Sequence, residues 1–271
     1  MSTIVRALDF RKPVGYLANV FYALQRTLKP HRTCTREGIK YRLDLNELID
    51  FSIYRGWGWE RETIEFLKHN LNAGDVVVEV GANVGAHTLL ISKLVGYAGA
   101  VYAFEPTSYA RNKLVANVTL NPSFSGNAIV RSELVTNGQS HVKHAAIRSS
   151  WKIDGIQREA ENVTVGETTI DAFANLVGLT KFSLLKIDVD GYDYKVLQGA
   201  AGVLDRFRPV VFVELCEYAL QEQGDSIRDI FGLLEKLNYR SFLENGAELS
   251  LQFALDMTGL STSINGVFRP K

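Results

Sequence analysis

The stretch of sequence that decides the fold runs from Val76 to Thr88 and reads VVVEVGANVGAHT. Its apolar beginning is typical of a buried β-strand, and Gly81 and Gly85 predict a tight turn into a helix. A strand, a glycine turn and a helix in this order form the ligand-binding loop of many open α/β sheets. The alternative is that the two glycines only allow a tight turn.

The glycine spacing distinguishes between nucleotide ligands. Dinucleotide-binding folds use Gly-x-Gly-x-x-Gly, in which backbone amides approach a pyrophosphate. This chain instead has Glu79-x-Gly81-x-x-x-Gly85, so the expected ligand lacks a diphosphate, and S-adenosylmethionine fits that description. Free N–H groups at the helix start would face its carboxylate. Glu79 would meet its ammonium, either directly or through water.

A second acid, Glu105, ends the next apolar strand pattern. In doubly wound folds an acid roughly twenty residues after the glycine turn accepts hydrogen bonds from the ribose hydroxyls. A solvated acid at a strand end is the alternative. Ser132 and Glu133 end the third strand pattern, where the adenine would lie. The predicted cofactor-binding residues are Glu79, Gly81, Asn83, Gly85, Thr88, Glu105, Ser132 and Glu133.

Composition indicates an ordinary globular protein. The chain has 271 residues, of which 46% are hydrophobic and 22% are charged. A formal net charge of zero argues against nucleic-acid binding as the main activity. The two cysteines are far apart in sequence, and neither a membrane-spanning run nor a signal-peptide core is evident. These features favour a reducing, cytoplasmic location.

The amino-terminal segment is basic. Residues 1–40 contain eight Lys or Arg residues and two acidic residues, and apolar residues recur at helical spacing between Leu17 and Leu28. An amphipathic basic helix could contact a membrane surface or a lipid-linked substrate. It could equally pack on the main domain or on a second subunit of a homo-oligomer.

From Val76 onward, strand and helix patterns alternate, which predicts an α/β fold with a parallel sheet. A terminal strand pair would close the sheet. The predicted strands are 76–81, 100–105, 128–134, 183–188, 209–215, 239–243 and 263–268. The predicted helices lie near 86–96, 107–120, 168–178, 191–206 and 226–237.

The predicted organisation has two parts. Residues 1–56 form an amino-terminal basic helical segment with short strands, and residues 57–271 form the main domain. Within the first part, Leu43 to Tyr54 has the composition of an edge hairpin or short strand. Residues 135–167 break the alternation and predict an insertion on the ligand side of the sheet.

Further acids follow two other strands. Asp188 and Asp190 come after one apolar strand, and Glu214 comes near the end of another. Because ligands bind at the carboxyl ends of parallel strands, these acids should share one rim. Such a rim requires a cation, a ligand or raised pKa values to relieve repulsion. Lys186 is expected to pair with one of the acids.

Three sequence blocks resemble the FkbM family of S-adenosylmethionine-dependent methyltransferases. They are EVGANVG at 79–85, FEP at 104–106 and LKIDVDG at 185–191. The resemblance implies a Rossmann-like class I methyltransferase fold, a mostly parallel seven-stranded sheet with helices on both faces. It also implies O-methylation of a sugar, glycan or natural-product acceptor. Asp190 is a glutamate in the commoner pattern, and this difference concerns the acceptor more than the cofactor.

An acceptor hydroxyl must lose a proton during methyl transfer, so a general base or a metal is needed. Asp188, at the end of its strand, is the predicted catalytic residue, although it could instead cap the helix that follows. Asp188, Asp190 and Glu214 could hold a divalent ion such as Mg²⁺.

Two other functional classes compete with the methyltransferase interpretation. A nicotinamide-dependent sugar-modifying enzyme would carry the Gly-x-Gly-x-x-Gly pattern, which is absent after Val80. A catalytically inactive binding protein on the same fold would have no need to retain Gly81, Gly85, Glu105 and Asp188 together. S-adenosylmethionine therefore remains the predicted cofactor.

Overall fold

The computed structural model describes residues 24–56, 60–139, 145–147, 161–163, 166–259 and 262–271. The strands are β1 (His31–Arg36), β2 (Ile39–Asp44), β3 (Val76–Val80), β4 (Ala100–Phe104), β5 (Ala128–Arg131), β6 (Leu134–Val135), β7 (Ala145–Ile147), β8 (Glu161–Val163), β9 (Glu167–Thr168), β10 (Leu184–Ile187), β11 (Val210–Leu215), β12 (Tyr239–Phe242) and β13 (Ile264–Pro270). The helices are α1 (residues 24–28), α2 (Leu48–Arg55), α3 (Arg61–Asn70), α4 (Thr88–Val95), α5 (Ser108–Thr119), α6 (Ile170–Leu176), α7 (Asp193–Gln198), α8 (Ala201–Phe207), α9 (Glu217–Glu222), α10 (Ile227–Lys236) and α11 (Leu251–Thr258).

A seven-stranded sheet forms the centre of the fold, in the order β12-β13-β11-β10-β3-β4-β5. Five strands are parallel, and β13 runs antiparallel to both β11 and β12. The predicted α/β fold with a closing strand pair is confirmed. The chain winds from β3 outward to β5 and then returns to β10 on the other side of β3. Ligands bind at such a reversal, outside the carboxyl ends of the strands.

Both faces of the sheet are covered, as the continuous apolar strands require. Val77 and Val78 are neighbours in sequence, yet each is fully buried in a different cluster because strand side chains alternate between faces. The Val77 cluster includes hairpin β1–β2 and helices α2, α3 and α4. The Val78 cluster includes helices α6 to α11.

The prediction of an edge hairpin or short strand over Leu43 to Tyr54 was largely wrong. Only Leu43 and Asp44 lie in a strand, and most of the remainder forms helix α2. The β-branched and aromatic composition favours a strand, but Ile49 and Ile53 are both buried and are four residues apart on one helical face. Tertiary packing of this face against the sheet therefore outweighs composition.

The predicted helix at 191–206 is two helices, α7 and α8. Asp171 of α6 accepts hydrogen bonds from the backbone N–H groups of Gly202 (2.9 Å) and Val203 (2.7 Å) in the first turn of α8. This cap comes from a residue about thirty positions earlier, so local sequence does not reveal the break. The strand predicted at 128–134 ends at Arg131, and Leu134 already belongs to β6, which pairs with β9 outside the main sheet.

Two predicted features lie mostly outside the described residues. Of the amino-terminal basic helix, only residues 24–28 are described, as helix α1. Of the insertion at 135–167, the described parts contain β6, the antiparallel pair β7–β8 and the start of β9. Within the described ranges, no helix combines the length and apolar character needed to cross a bilayer.

Candidate active site at the carboxyl ends of the strands

The glycine turn packs closely against the end of the neighbouring strand. Gly81 has φ +87°, and a Cβ placed on it would lie 1.9 Å from the backbone carbonyl oxygen of Asp188. Gly85 has φ +89°, and its Cβ would lie 2.6 Å from Leu114 Cδ1 of α5. Both glycines therefore have a steric role, and Gly81 brings the turn directly beside Asp188.

Asn83 presents an unused acceptor within this turn. Its backbone N–H donates to Glu105 Oε2 at 3.0 Å, and its φ of 49° is in the left-handed region that asparagine tolerates. Its side-chain Oδ1 is a buried atom with no hydrogen-bond partner among the described residues. A buried acceptor without a donor is costly, so a ligand with a hydroxyl or ammonium donor would satisfy it.

Glu105 is held rigidly at the end of β4. It is 5% exposed, and Oε1 accepts hydrogen bonds from the backbone N–H (2.9 Å) and the hydroxyl of Thr107. Burial raises the pKa of Glu105, although the bonds from Thr107 and Asn83 act in the opposite direction. A carboxylate has about four lone-pair sites, so Glu105 retains capacity for a further donor.

Glu79 and Thr88 are paired beneath the turn. Both side chains are buried, and Thr88 Oγ1 donates to Glu79 Oε2 at 2.6 Å. Burial raises the pKa of Glu79 to about 7, against the opposing effects of Lys186 and the Thr88 bond. The Thr88 hydroxyl is therefore engaged within the protein.

Lys186 supplies a positive charge among the acids at this edge of the sheet. Its side chain is 1% exposed, and Nζ lies 3.1 Å from Asp188 Oδ2 and 4.0 Å from Glu79 Oε1. Burial acts to lower the pKa of Lys186, but Asp188, Glu79 and Glu60 outweigh it and raise the pKa. The predicted pairing of Lys186 with a rim acid is confirmed.

The acids after β10 have separate roles. Asp193 is buried, and its carboxylate accepts from the backbone N–H groups of Val189 (3.3 Å) and Gly191 (3.1 Å). Burial and the charge of Asp188 raise the pKa of Asp193 to about 7. Asp188 does not cap helix α7, whose N-cap is Tyr192. Asp188 is instead one-third exposed at the carboxyl end of β10, and its Oδ2 accepts a hydrogen bond from Lys186.

The structure gives no support for a metal site at Asp188, Asp190 and Glu214. Among the described residues, no group of three or more His, Cys, Asp or Glu side chains is arranged to hold an ion. Asp190 is exposed, and its backbone has a φ of 47°. Burial, together with the charges of Asp188 and Asp193, raises the pKa of Glu214 well above its usual value. Lys186 and raised carboxyl pKa values relieve the repulsion instead.

Ser132 and Glu133 follow β5, on the same edge of the sheet. Glu105 donates its backbone N–H to the Arg131 carbonyl at 3.0 Å, which brings these segments together. Glu133 is occupied by an ion pair with Arg131 and by the backbone N–H of Ser132 at 3.1 Å. Burial acts to raise the pKa of Glu133, but the Arg131 interactions outweigh it and lower the pKa.

Sequence reasoning missed Glu60 and Glu244, which approach the crevice from other segments. Glu60 Oε2 lies 3.8 Å from His87 Nε2. Glu244 Oε1 accepts from Thr63 Oγ1 at 2.7 Å and from Asn265 Nδ2 at 3.3 Å. Glu60 precedes a helix, and an acid at such a position usually indicates only a favourable charge at the helix start. Glu244 lies in a turn. Neither position therefore indicated a functional role in the sequence.

Comparisons with known proteins identify a family and several similar structures. A protein-family model described as a methyltransferase FkbM domain matches residues 79–241. The structure is similar to methyltransferase FkbM from Methylobacillus flagellatus KT, with 13% identity, 78% of this chain and 48% of that chain covered, and a TM-score of 0.47. It is also similar to M. jannaschii TYW2 in complex with AdoMet, with 15% identity, 90% and 88% covered, and a TM-score of 0.43. No curated protein matches the chain.

Proposed function

The chain belongs to the FkbM methyltransferase family, and we propose that it transfers a methyl group from S-adenosylmethionine to a hydroxyl oxygen. The proposed acceptor is a sugar, a glycan or a natural product, as the sequence blocks implied. The crevice between β3 and β10 is the proposed site of transfer.

The single observation that supports the cofactor proposal is the hydrogen bond from the backbone N–H of Asn83 to the carboxylate of Glu105. This hydrogen bond, 3.0 Å long to Glu105 Oε2, places the unsatisfied Oδ1 of Asn83 and the carboxylate of Glu105 in neighbouring residues of one site. Ribose hydroxyls are donors that suit such a pair of acceptors. Glu79, at a pKa of about 7, would become ionised beside the cofactor ammonium.

The bound cofactor supplies an electrophilic methyl group on a positively charged sulfur. The protein then has to align the acceptor oxygen with that methyl group, and such positioning contributes strongly to the rate. Asp188 is the proposed catalytic residue at this point, because Lys186 fixes its Oδ2 while its side chain stays one-third exposed. A carboxylate held in this way can orient a hydroxyl by accepting its hydrogen bond.

The location of the acceptor is a further part of the proposal. An acceptor in the cytoplasm, either free or linked to a lipid at a membrane surface, is consistent with the basic residues of the amino-terminal segment. Contact with a membrane or with a second subunit through that segment belongs to the same proposal.

Calorimetric titration with S-adenosylhomocysteine and with NAD tests the cofactor. Binding of the first without the second is expected. The acceptor is then sought by incubating the protein with methyl-labelled S-adenosylmethionine and a panel of glycans and small metabolites. The readout is the appearance of the label in an acceptor molecule. Binding of NAD in place of S-adenosylhomocysteine would favour a nicotinamide-dependent enzyme, and binding of neither would favour an inactive fold.

Replacing Glu105 with alanine is expected to weaken S-adenosylhomocysteine binding by about 1–3 kcal/mol, since a charged acceptor for the ribose is lost. Calorimetry measures the change. Thr107→Val is the matched control, because it removes the hydroxyl that donates to Glu105 while leaving the carboxylate in place. Equal losses in the two variants would mean that Glu105 acts only through the shape of the turn.

A further inference from the structure

We propose that Glu60 is the general base that takes the proton of the acceptor hydroxyl, an inference that rests on the proposed function. Glu60 lies 128 residues before Asp188 in sequence, yet its Oε2 lies 3.8 Å from Nε2 of His87, which follows the glycine turn, and the charge of Asp188 acts on its carboxylate. Its side chain is 32% exposed and is therefore accessible to a ligand.

The backbone of Glu60 is held in an unfavourable conformation. Its φ of 54° and ψ of 74° lie in the left-handed region, immediately before helix α3. For a residue other than glycine, such a conformation costs about 1–3 kcal/mol and persists where the surroundings enforce it, often at functional sites. The side chain makes no capping hydrogen bond to α3. Helix capping therefore does not explain why a glutamate occupies this position.

Charged and polar groups from four segments face the Glu60 carboxylate. Thr63 Oγ1 of α3 is 3.5 Å from Oε2, and His87 Nε2, at the start of α4, is 3.8 Å from the same atom. Lys186 on β10, Asp188 after β10 and Glu244 after β12 act on it through their charges. This is the same edge of the sheet at which the transferred methyl group is expected.

The protonation of Glu60 suits a base that becomes active when the cofactor is bound. Burial raises the pKa of Glu60 to about 8, the charges of Asp188 and Glu244 add to this effect, and Lys186 opposes it. The raised pKa favours the protonated form of Glu60 in the free protein. A positively charged sulfonium nearby favours the ionised form, which is the form that can accept a proton.

The step balances without another reactant. The hydroxyl oxygen forms a bond to the methyl carbon, the carbon–sulfur bond breaks, and its electron pair neutralises the sulfur. The hydroxyl proton passes to the Glu60 carboxylate and later to solvent. Asp188 keeps an orienting role, since its Oδ2 already accepts a hydrogen bond from Lys186.

Proton release on cofactor binding tests this assignment without knowledge of the acceptor. S-adenosylmethionine and S-adenosylhomocysteine share the carboxylate and ammonium, but only the first carries the sulfonium charge. Calorimetry near pH 7 in two buffers of different ionisation enthalpy gives the protons released by each ligand. We expect S-adenosylmethionine to release more protons than S-adenosylhomocysteine. Glu60→Gln should remove this difference and leave S-adenosylhomocysteine affinity within about threefold.

Glu65→Gln is the matched control, because Glu65 is an exposed carboxylate on the same helix. It should keep the wild-type difference in proton release. A difference that persists in Glu60→Gln would overturn the proposal and point to another acid, such as Glu214. Binding of both ligands by the wild type with equal proton release would overturn it as well. Failure of the wild type to bind either ligand would instead remove the proposed function itself.

Once the labelling experiment has identified an acceptor, the kinetics of methyl transfer provide a second test. Glu60→Gln should lower kcat by about 10²–10⁴-fold, the usual contribution of a general base. In the wild type, kcat/KM for S-adenosylmethionine should rise with pH through about 8, since this quantity reports the free protein and the carboxylate is the active form. A glutamine variant that retains wild-type kcat would rule Glu60 out as the base.

Discussion

Replacing Lys186 with methionine is expected to lower the free energy of unfolding by about 3–5 kcal/mol at about pH 8. The ammonium is 1% exposed and lies 4.0 Å from the equally buried carboxylate of Glu79. Without it, an uncompensated charge would remain in the interior, and such a charge costs more than the ion pair contributes. Urea denaturation followed by circular dichroism measures the loss.

The loss should shrink toward about pH 5.5, and the direction follows from Glu79. Its pKa is raised to about 7 by burial even with Lys186 present. A carboxyl with a raised folded pKa binds more protons folded than unfolded, so stability falls as pH rises from its ordinary pKa to the raised one. Lys186→Met would raise the pKa of Glu79 further, so the free energy of unfolding would continue to fall above pH 7.

Lys181→Met is the matched control for this variant. Lys181 Nζ lies 3.1 Å from Asp75, the same distance as Lys186 from Asp188, but its side chain is 53% exposed. An exposed ion pair contributes about 0–1 kcal/mol. Similar losses for both lysines, or a Lys186→Met loss that does not change with pH, would show that the charges at this edge are solvated.

Replacing Gly81 with alanine is expected to lower the free energy of unfolding by about 2–5 kcal/mol, from backbone strain plus overpacking. The added methyl group would lie 1.9 Å from the Asp188 carbonyl oxygen, so β3 and β10 would have to separate at their ends. We also expect S-adenosylhomocysteine binding to be lost, since Asn83 and Asp188 would both be displaced. Thermal denaturation and calorimetry measure the two effects.

Gly246→Ala separates strain from contact. Gly246 has φ +85°, almost the same as the +87° of Gly81, but a Cβ there meets no atom within 4 Å. The control should therefore cost only about 1–2 kcal/mol for a left-handed alanine. A Gly81→Ala variant no less stable than Gly246→Ala would mean that the turn adapts to the extra methyl group.

The strands of the sheet were predictable from sequence because local patterns mark them. Apolar runs such as Val76–Val80 mark buried parallel strands, and glycine turns or acids mark their ends. The errors arose where distant residues decide local structure. Helix α2 depends on packing against the sheet, and the break before α8 depends on Asp171.

The candidate site was predictable only where its residues follow strands. Asp188 and Glu105 could be placed because parallel strands end at one edge. Glu60 and Glu244 could not, because their approach to the crevice depends on contacts between distant segments. Among the described residues the possible metal site gains no support, because acids close in sequence, such as Asp188 and Asp190, differ in exposure once the chain turns.

Asn265 Nδ2 donates to Thr63 Oγ1 at 3.2 Å across a separation of 202 positions. Glu244 joins the same pair, so strands β12 and β13 brace the helix that begins beside Glu60. Contacts this distant close a long loop, and closing it costs conformational entropy. A chain truncated before β12 would therefore lose the contacts that hold Thr63 beside Glu60, although Asn83, Glu105 and Asp188 all precede the cut.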